Sequence, residues 1–141
     1  MASEYANVNF LDRPVREEGN LRTVLVVEDN RHTRHFLKWY LTRLGFRVLL
    51  AEDGLSGINL FRNNQDQISI VILDMGIPIM NGAETFHAIR HLQQNTPIIA
   101  CLYQTDDKTI ELLPGEKHPA VITKPYDLSE LETTLRQALQ A

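Results

Sequence analysis

Five short runs of this chain are continuously apolar rather than alternating: 23–28, 47–51, 69–74, 97–102 and 120–123. They are rich in Val and Ile, as in Val24-Leu25-Val26-Val27 and Ile70-Val71-Ile72-Leu73. A strand with one wet face alternates apolar and polar residues, whereas a strand covered on both faces does not. Helical patterns separate the runs, near 31–44, 54–63, 83–94, 106–113 and 127–140. The last carries Leu128, Leu131, Leu135 and Leu139 at helical spacing, which gives one buried stripe. Asn30 and Asp127 suit helix starts and Gly45 suits a helix end. Strands alternating with helices in this way predict an α/β fold, a parallel sheet joined by right-handed crossovers.

The 141 residues suit one domain at 22–141, preceded by an N-terminal arm at 1–21 that lacks periodicity. The net charge of −4 argues against a nucleic-acid-binding face. No apolar stretch approaches the roughly 18 residues of a membrane helix, and the first residues lack the pattern of a signal peptide. Cys101 is the single cysteine and lies inside an apolar run, so a buried, reduced thiol in a cytoplasmic protein is expected.

Three of the runs deliver charge at their C-terminal ends: Glu28-Asp29 after the first, Asp74 closing the third, and Lys124-Pro125 after the fifth. In an open parallel sheet, ligands bind at that edge, where the strand order reverses. Carboxylates about 4 Å apart repel by roughly 4 kcal/mol per pair at an effective dielectric of 20, so three together call for a compensating cation or proton. Mg2+ fits, because it takes hard oxygen ligands and commonly joins one or two carboxylates to a phosphate. Lys124 adds a positive charge able to reach phosphate oxygens, and Asp74 becomes a nucleophile for phosphoryl transfer. Each residue also has a plainer role. An Asp after a strand caps the next turn, a lone Lys is a solvated charge, and Glu28-Asp29-Asn30 opens a helix. The recurrence of charge at one end of separate strands favours the site.

In these segments the chain resembles a response-regulator receiver domain, the phospho-acceptor module of two-component signalling. The resemblance rests on Val24-Leu25-Val26-Val27-Glu28-Asp29-Asn30, Leu73-Asp74-Met75-Gly76-Ile77-Pro78-Ile79-Met80-Asn81-Gly82, Thr96-Pro97-Ile98-Ile99-Ala100 and Thr123-Lys124-Pro125-Tyr126-Asp127-Leu128, and covers about 22 to 140. It implies a flavodoxin-like three-layer sandwich with strand order 2-1-3-4-5. It implies that Asp74 is the phosphorylated aspartate and that Lys124 contacts the phosphate. Glu28, Asp29, Asp74 and the backbone carbonyl of Gly76 would hold Mg2+, with Asp29 a direct ligand. It also implies a cis Lys124–Pro125 bond. Such a domain is no enzyme beyond self-phosphorylation and autodephosphorylation. Its partners would be a sensor histidine kinase or phosphotransfer protein and a downstream protein, with a homodimer also open.

Three positions depart from the family. Leu102 stands where a Thr or Ser hydroxyl usually meets the phosphoryl group, Tyr103 where a small residue is usual, and Val121 where a switching aromatic is usual. Tyr103 or Thr105 could supply a substitute hydroxyl. Phosphorylation needs the acids, the metal and the lysine, whereas the familiar response needs the hydroxyl and the aromatic. Two rivals therefore stand beside the phospho-acceptor. One is an atypical receiver that acts as a phosphorylation-independent interaction module. The other is an aspartate-nucleophile phosphatase of the haloacid dehalogenase type, which expects a second Asp at position 76, here Gly. Among weaker signals, His87 and His91 share a helix face without an evident third metal ligand, and Arg31, His32, Arg34 and His35 make a basic, solvated first turn. Trp39 lies off the stripe of Phe36, Leu37, Tyr40, Leu41 and Leu44, where it would be partly exposed or anchor an interface.

Overall fold

The computed structural model describes residues 16–17, 20–77, 80–103 and 120–140. The expected helix near 106–113, Thr105 and most of the arm lie outside them. Of the arm, Arg16–Glu17 and Asn20–Leu21 form a short antiparallel pair. The chain then runs β1 (Thr23–Val27), α1 (Arg31–Arg43), β2 (Arg47–Ala51), α2 (Gly54–Asn63), β3 (Ile68–Asp74), α3 (Gly82–Leu92), β4 (Ile98–Leu102), β5 (Ala120–Thr123) and α4 (Leu128–Gln140). The five strands form one parallel sheet in the order β2-β1-β3-β4-β5, the 2-1-3-4-5 order expected of a flavodoxin-like fold.

Strand geometry explains the continuous apolar runs. Successive side chains point to opposite faces. Val24 and Val26 enter a core with Leu37, Tyr40 and Leu41 of α1 and Leu128, Leu131 and Leu135 of α4. Leu25 and Val27 enter a second core with Phe61 of α2 and Phe86 and Ile89 of α3. Both faces are dry, so neither parity can be polar. The buried hydroxyl of Tyr40 ties the two helices of the first face together by donating to the Leu128 carbonyl at 3.1 Å.

Local signals set most element boundaries. The Asn30 side chain accepts from Thr33 N–H at 3.0 Å and opens α1, and Asp127 accepts from Glu130 N–H at 3.1 Å at the start of α4. Helix α1 ends in a Schellman motif: Gly45 has φ 101°, its N–H donates to Thr42, and Phe46 N–H donates to Leu41. The structure shortens α3 relative to the expected 83–94. Gln93 is extended at φ −151°, and Arg90 reaches forward to the Thr96 carbonyl, which pins the link into Pro97. Gly82 seats the start of α3 against the turn after β3. A Cβ there would stand 2.8 Å from the Met75 carbonyl oxygen.

Candidate functional site

The order β2-β1-β3 reverses the direction of strand addition, and the ends of β1 and β3 border the resulting crevice. Glu28 follows β1 directly, held by its N–H to the Ala51 carbonyl at 3.0 Å, and is 1% exposed. Asp74 closes β3, beside Cys101 of β4, and is 6% exposed. Asp29, one residue further on, is exposed. One oxygen from each of these three carboxylates lies within 4.8 Å of the others. Among the described residues no other group of three His, Cys, Asp or Glu side chains converges so closely.

Lys124 comes from β5, with β4 between it and β3. Its backbone N–H donates to the Leu102 carbonyl at 2.7 Å, which places the residue at the end of β4. Crossing two inter-strand spacings, about 10 Å, calls for a long side chain on β5. The ammonium lies 2.5 Å from Glu28 Oε1 and 3.1 Å from Asp74 Oδ2. The other Asp74 oxygen, Oδ1, accepts from Gly76 N–H at 2.9 Å. The Lys124–Pro125 bond is cis, as the resemblance implies.

Electrostatics separate the two buried acids. Burial, reinforced by its hydrogen bond to Asp74, pushes the Glu28 carboxyl up to about 7. Burial also acts to raise Asp74, but hydrogen bonds from Glu28, Gly76 N–H and Lys124 outweigh it and leave the carboxyl below its ordinary value. Burial acts to lower Lys124, yet its bond to Glu28 and the charge of Asp74 win and raise it. The surroundings thus favour the charged form of Asp74 and disfavour that of Glu28, the behaviour of coupled carboxylates short of positive charge. Three acids against one lysine leave room for a divalent cation. The donor set fits a hard ion such as Mg2+, since every side-chain donor is a carboxylate oxygen.

These groups lie in an open cleft of about 640 Å³, walled by His32, Phe36, Tyr103 and Tyr126 among others. The structure brings together Glu28, Asp29, Asp74, Gly76 and Lys124. It separates Leu102 and Val121 from them: both pack into the core under α2 and α3, Leu102 fully buried and Val121 partly. Tyr103 instead lines the cleft rim.

Two contributors escaped the sequence reading. Arg34, expected on a solvated face, is half-buried and donates to the Glu28 and Asp29 carbonyls at 2.9 and 3.2 Å, which clamps the loop that carries both acids. Its place one turn inside the helix after Glu28-Asp29 puts it within reach of those carbonyls but does not distinguish a clamp from a solvated charge. Tyr126 closes the wall behind Lys124, its hydroxyl against the Cys101 thiol. His32, His35, His87 and His91 are exposed as expected.

Comparison with known proteins finds relatives of the same fold. The autoinducer 1 sensor kinase/phosphatase LuxN of Vibrio campbellii is 27% identical over 113 residues, 80% of this chain and 13% of its own length. The response regulator ArlR of Staphylococcus aureus is 33% identical over 119 residues, 83% of this chain and 52% of its own, so the chain spans about half of that relative. Among solved structures, the receiver domain of a sensor histidine kinase from Pseudomonas aeruginosa PAO1, described with a magnesium ion in its active-site cleft, superposes with TM-score 0.76 at 23% identity, covering 86% of this chain and 99% of that one. The family described as the response regulator receiver domain matches residues 24–136, and the chain belongs to that family of two-component signalling modules.

Proposed function

We propose that this chain takes a phosphoryl group from a phosphohistidine onto Asp74 and passes the signal on by protein contacts. The observation that carries this reading is the pairing at Asp74: one oxygen held by Gly76 N–H, the other facing the Lys124 ammonium, with two further acids alongside. Asp74 is the nucleophile and its low carboxyl keeps it ready to attack. Lys124 orients the incoming phosphoryl oxygens and offsets their charge. Glu28 holds Lys124 in place. Asp29, Asp74, the Gly76 carbonyl and, less directly, Glu28 would hold Mg2+, which supplies charge neutralisation on the transferring group. The donor would be a sensor histidine kinase or phosphotransfer protein in the cytoplasm, and the chain's own activity would be limited to self-phosphorylation and autodephosphorylation.

The experiment is phosphotransfer from an autophosphorylated histidine-kinase core in the presence of Mg2+. Label should move to the wild type and not to Asp74→Ala. Equal transfer to both would remove Asp74 from its role.

One observation favours a second reading. Leu102 is buried in the core and Val121 packs partly buried against it, and neither side chain offers the usual hydroxyl or aromatic ring to report a phosphoryl group. A receiver that binds its partner without phosphorylation would tolerate this. Unchanged signalling by Asp74→Ala in cells would favour that module, and loss of signalling would favour the phospho-acceptor.

A further inference from the structure

Tyr103 follows β4 directly and is 79% exposed, yet it lines the cleft that holds Asp74. Its ring centroid lies 5.8 Å from Lys124 Nζ, and the ring of Tyr126 lies at the same 5.8 Å. At this distance an ammonium is attracted by an aromatic ring. The two tyrosines are anchored differently. Tyr126 is half-buried with its hydroxyl at Cys101, whereas Tyr103 stands at the rim. Asp74 lies on the floor, 6% exposed, and the Leu102 side chain is turned into the core. The residue of this strand end that faces the cleft is therefore Tyr103.

We infer, building on the phospho-acceptor reading above, that Tyr103 is a selectivity wall of this cleft: its ring, held over Lys124, screens a phosphoryl group on Asp74 from water and lengthens its lifetime. Hydrolysis forms a bond from the water oxygen to phosphorus and breaks the bond from phosphorus to the Asp74 oxygen. The electron pair returns to the carboxylate, and inorganic phosphate leaves with one water proton on its new P–OH oxygen, while the second is taken by another phosphate oxygen or released to solvent. That water enters from the open side of the cleft, past the rim. The contact is made by the ring, so phenylalanine should serve in place of tyrosine and alanine should not.

Acetyl phosphate with Mg2+ is used to load wild type, Tyr103→Phe and Tyr103→Ala, the donor is removed, and decay is followed by intact mass. Tyr103→Phe should decay within about twofold of wild type and Tyr103→Ala about fivefold faster, the scale of one ring–cation contact. Equal decay of all three overturns the proposal. So does a Tyr103→Phe as fast as Tyr103→Ala, which would assign the effect to the hydroxyl. A second readout needs no phosphorylation: labelling of the Lys124 amine by acetic anhydride, followed by peptide mass. It should rise about fivefold in Tyr103→Ala and stay at the wild-type level in Tyr103→Phe. No rise in Tyr103→Ala overturns the screening. A wild type that takes no phosphate would overturn the phospho-acceptor reading and the lifetime claim with it, while Lys124 labelling would still decide whether the ring screens the cleft.

Discussion

At the ends of β1 and β3 the chain buries two acids, Glu28 and Asp74, against desolvation and their mutual repulsion. At the end of β4 and along β5, the positions that carry a hydroxyl and an aromatic in the family's usual pattern are Leu102 and Val121, both packed into the core under α2 and α3. The first region keeps an arrangement that stability alone would not select, since uncompensated buried carboxylates are expensive. The second takes the arrangement that packing prefers. On the proposed phospho-acceptor reading, acceptor chemistry and its readout would be separable in this fold, because different strand ends would supply them.

The sharpest way to break this contrast is to remove the cation that both buried acids share. Lys124→Met should lower stability by about 3 kcal/mol in the presence of a chelator, the scale of a broken buried pair. Added Mg2+ should recover part of that loss. Equal urea midpoints for wild type and variant would mean that the three charges are not coupled. On the other side, Leu102→Thr should cost about 2–3 kcal/mol for the lost burial, measured by the same unfolding curves. In wild type, beryllofluoride with Mg2+ should move amide resonances at 74–77 and Lys124 while leaving Leu102 and Val121 nearly still. Large wild-type shifts at 102 and 121 would show a readout that the packing does not suggest. Gly82→Ala should cost about 2 kcal/mol, because its Cβ meets the Met75 carbonyl oxygen and displaces the start of α3 from the turn beside Asp74. A neutral result would mean that this seat is loose.

Asp53 provides the smallest and most diagnostic contrast. It too follows a strand, but its side chain accepts from Ser56 N–H at 2.7 Å and caps α2, and that backbone bond holds its carboxyl below the ordinary 3.8. Asp53→Ala should cost about 1 kcal/mol at neutral pH. Because the folded-state value is depressed, this contribution is complete above the unfolded value and vanishes as pH falls through the folded one. Wild type and variant should therefore converge in stability once the pH has fallen through the depressed folded-state value. A difference that persisted there would exclude a charged cap.

Asp53 and Asp74 also show what the sequence could reveal. Each is an Asp at or just beyond a strand end, and neither alone separates a cap from a nucleophile. The pattern became readable because Glu28, Asp29 and Lys124 recur at the same edge, and a parallel topology brings such ends together whatever lies between them. The fold was readable for a similar reason: dry faces on both sides of the sheet force continuous apolar runs, and caps such as Asn30 and Gly45 mark their own helix ends. The turn-back of Arg34 onto the Glu28 and Asp29 carbonyls was not readable, because a long basic side chain can lie in water or fold back with the same local sequence. At the end of β4 the sequence shows only that a leucine and a tyrosine follow one another; which of them faces the cleft is decided by the pleat of β4 against α2 and α3, which buries Leu102 and exposes Tyr103.

Intact mass after incubation with acetyl phosphate and Mg2+ tests the central claim most directly. One phosphoryl group on the wild type, none without Mg2+ and none on Asp74→Asn is the predicted result. An unmodified wild type under conditions that load another receiver, or equal loading of Asp74→Asn, would contradict it.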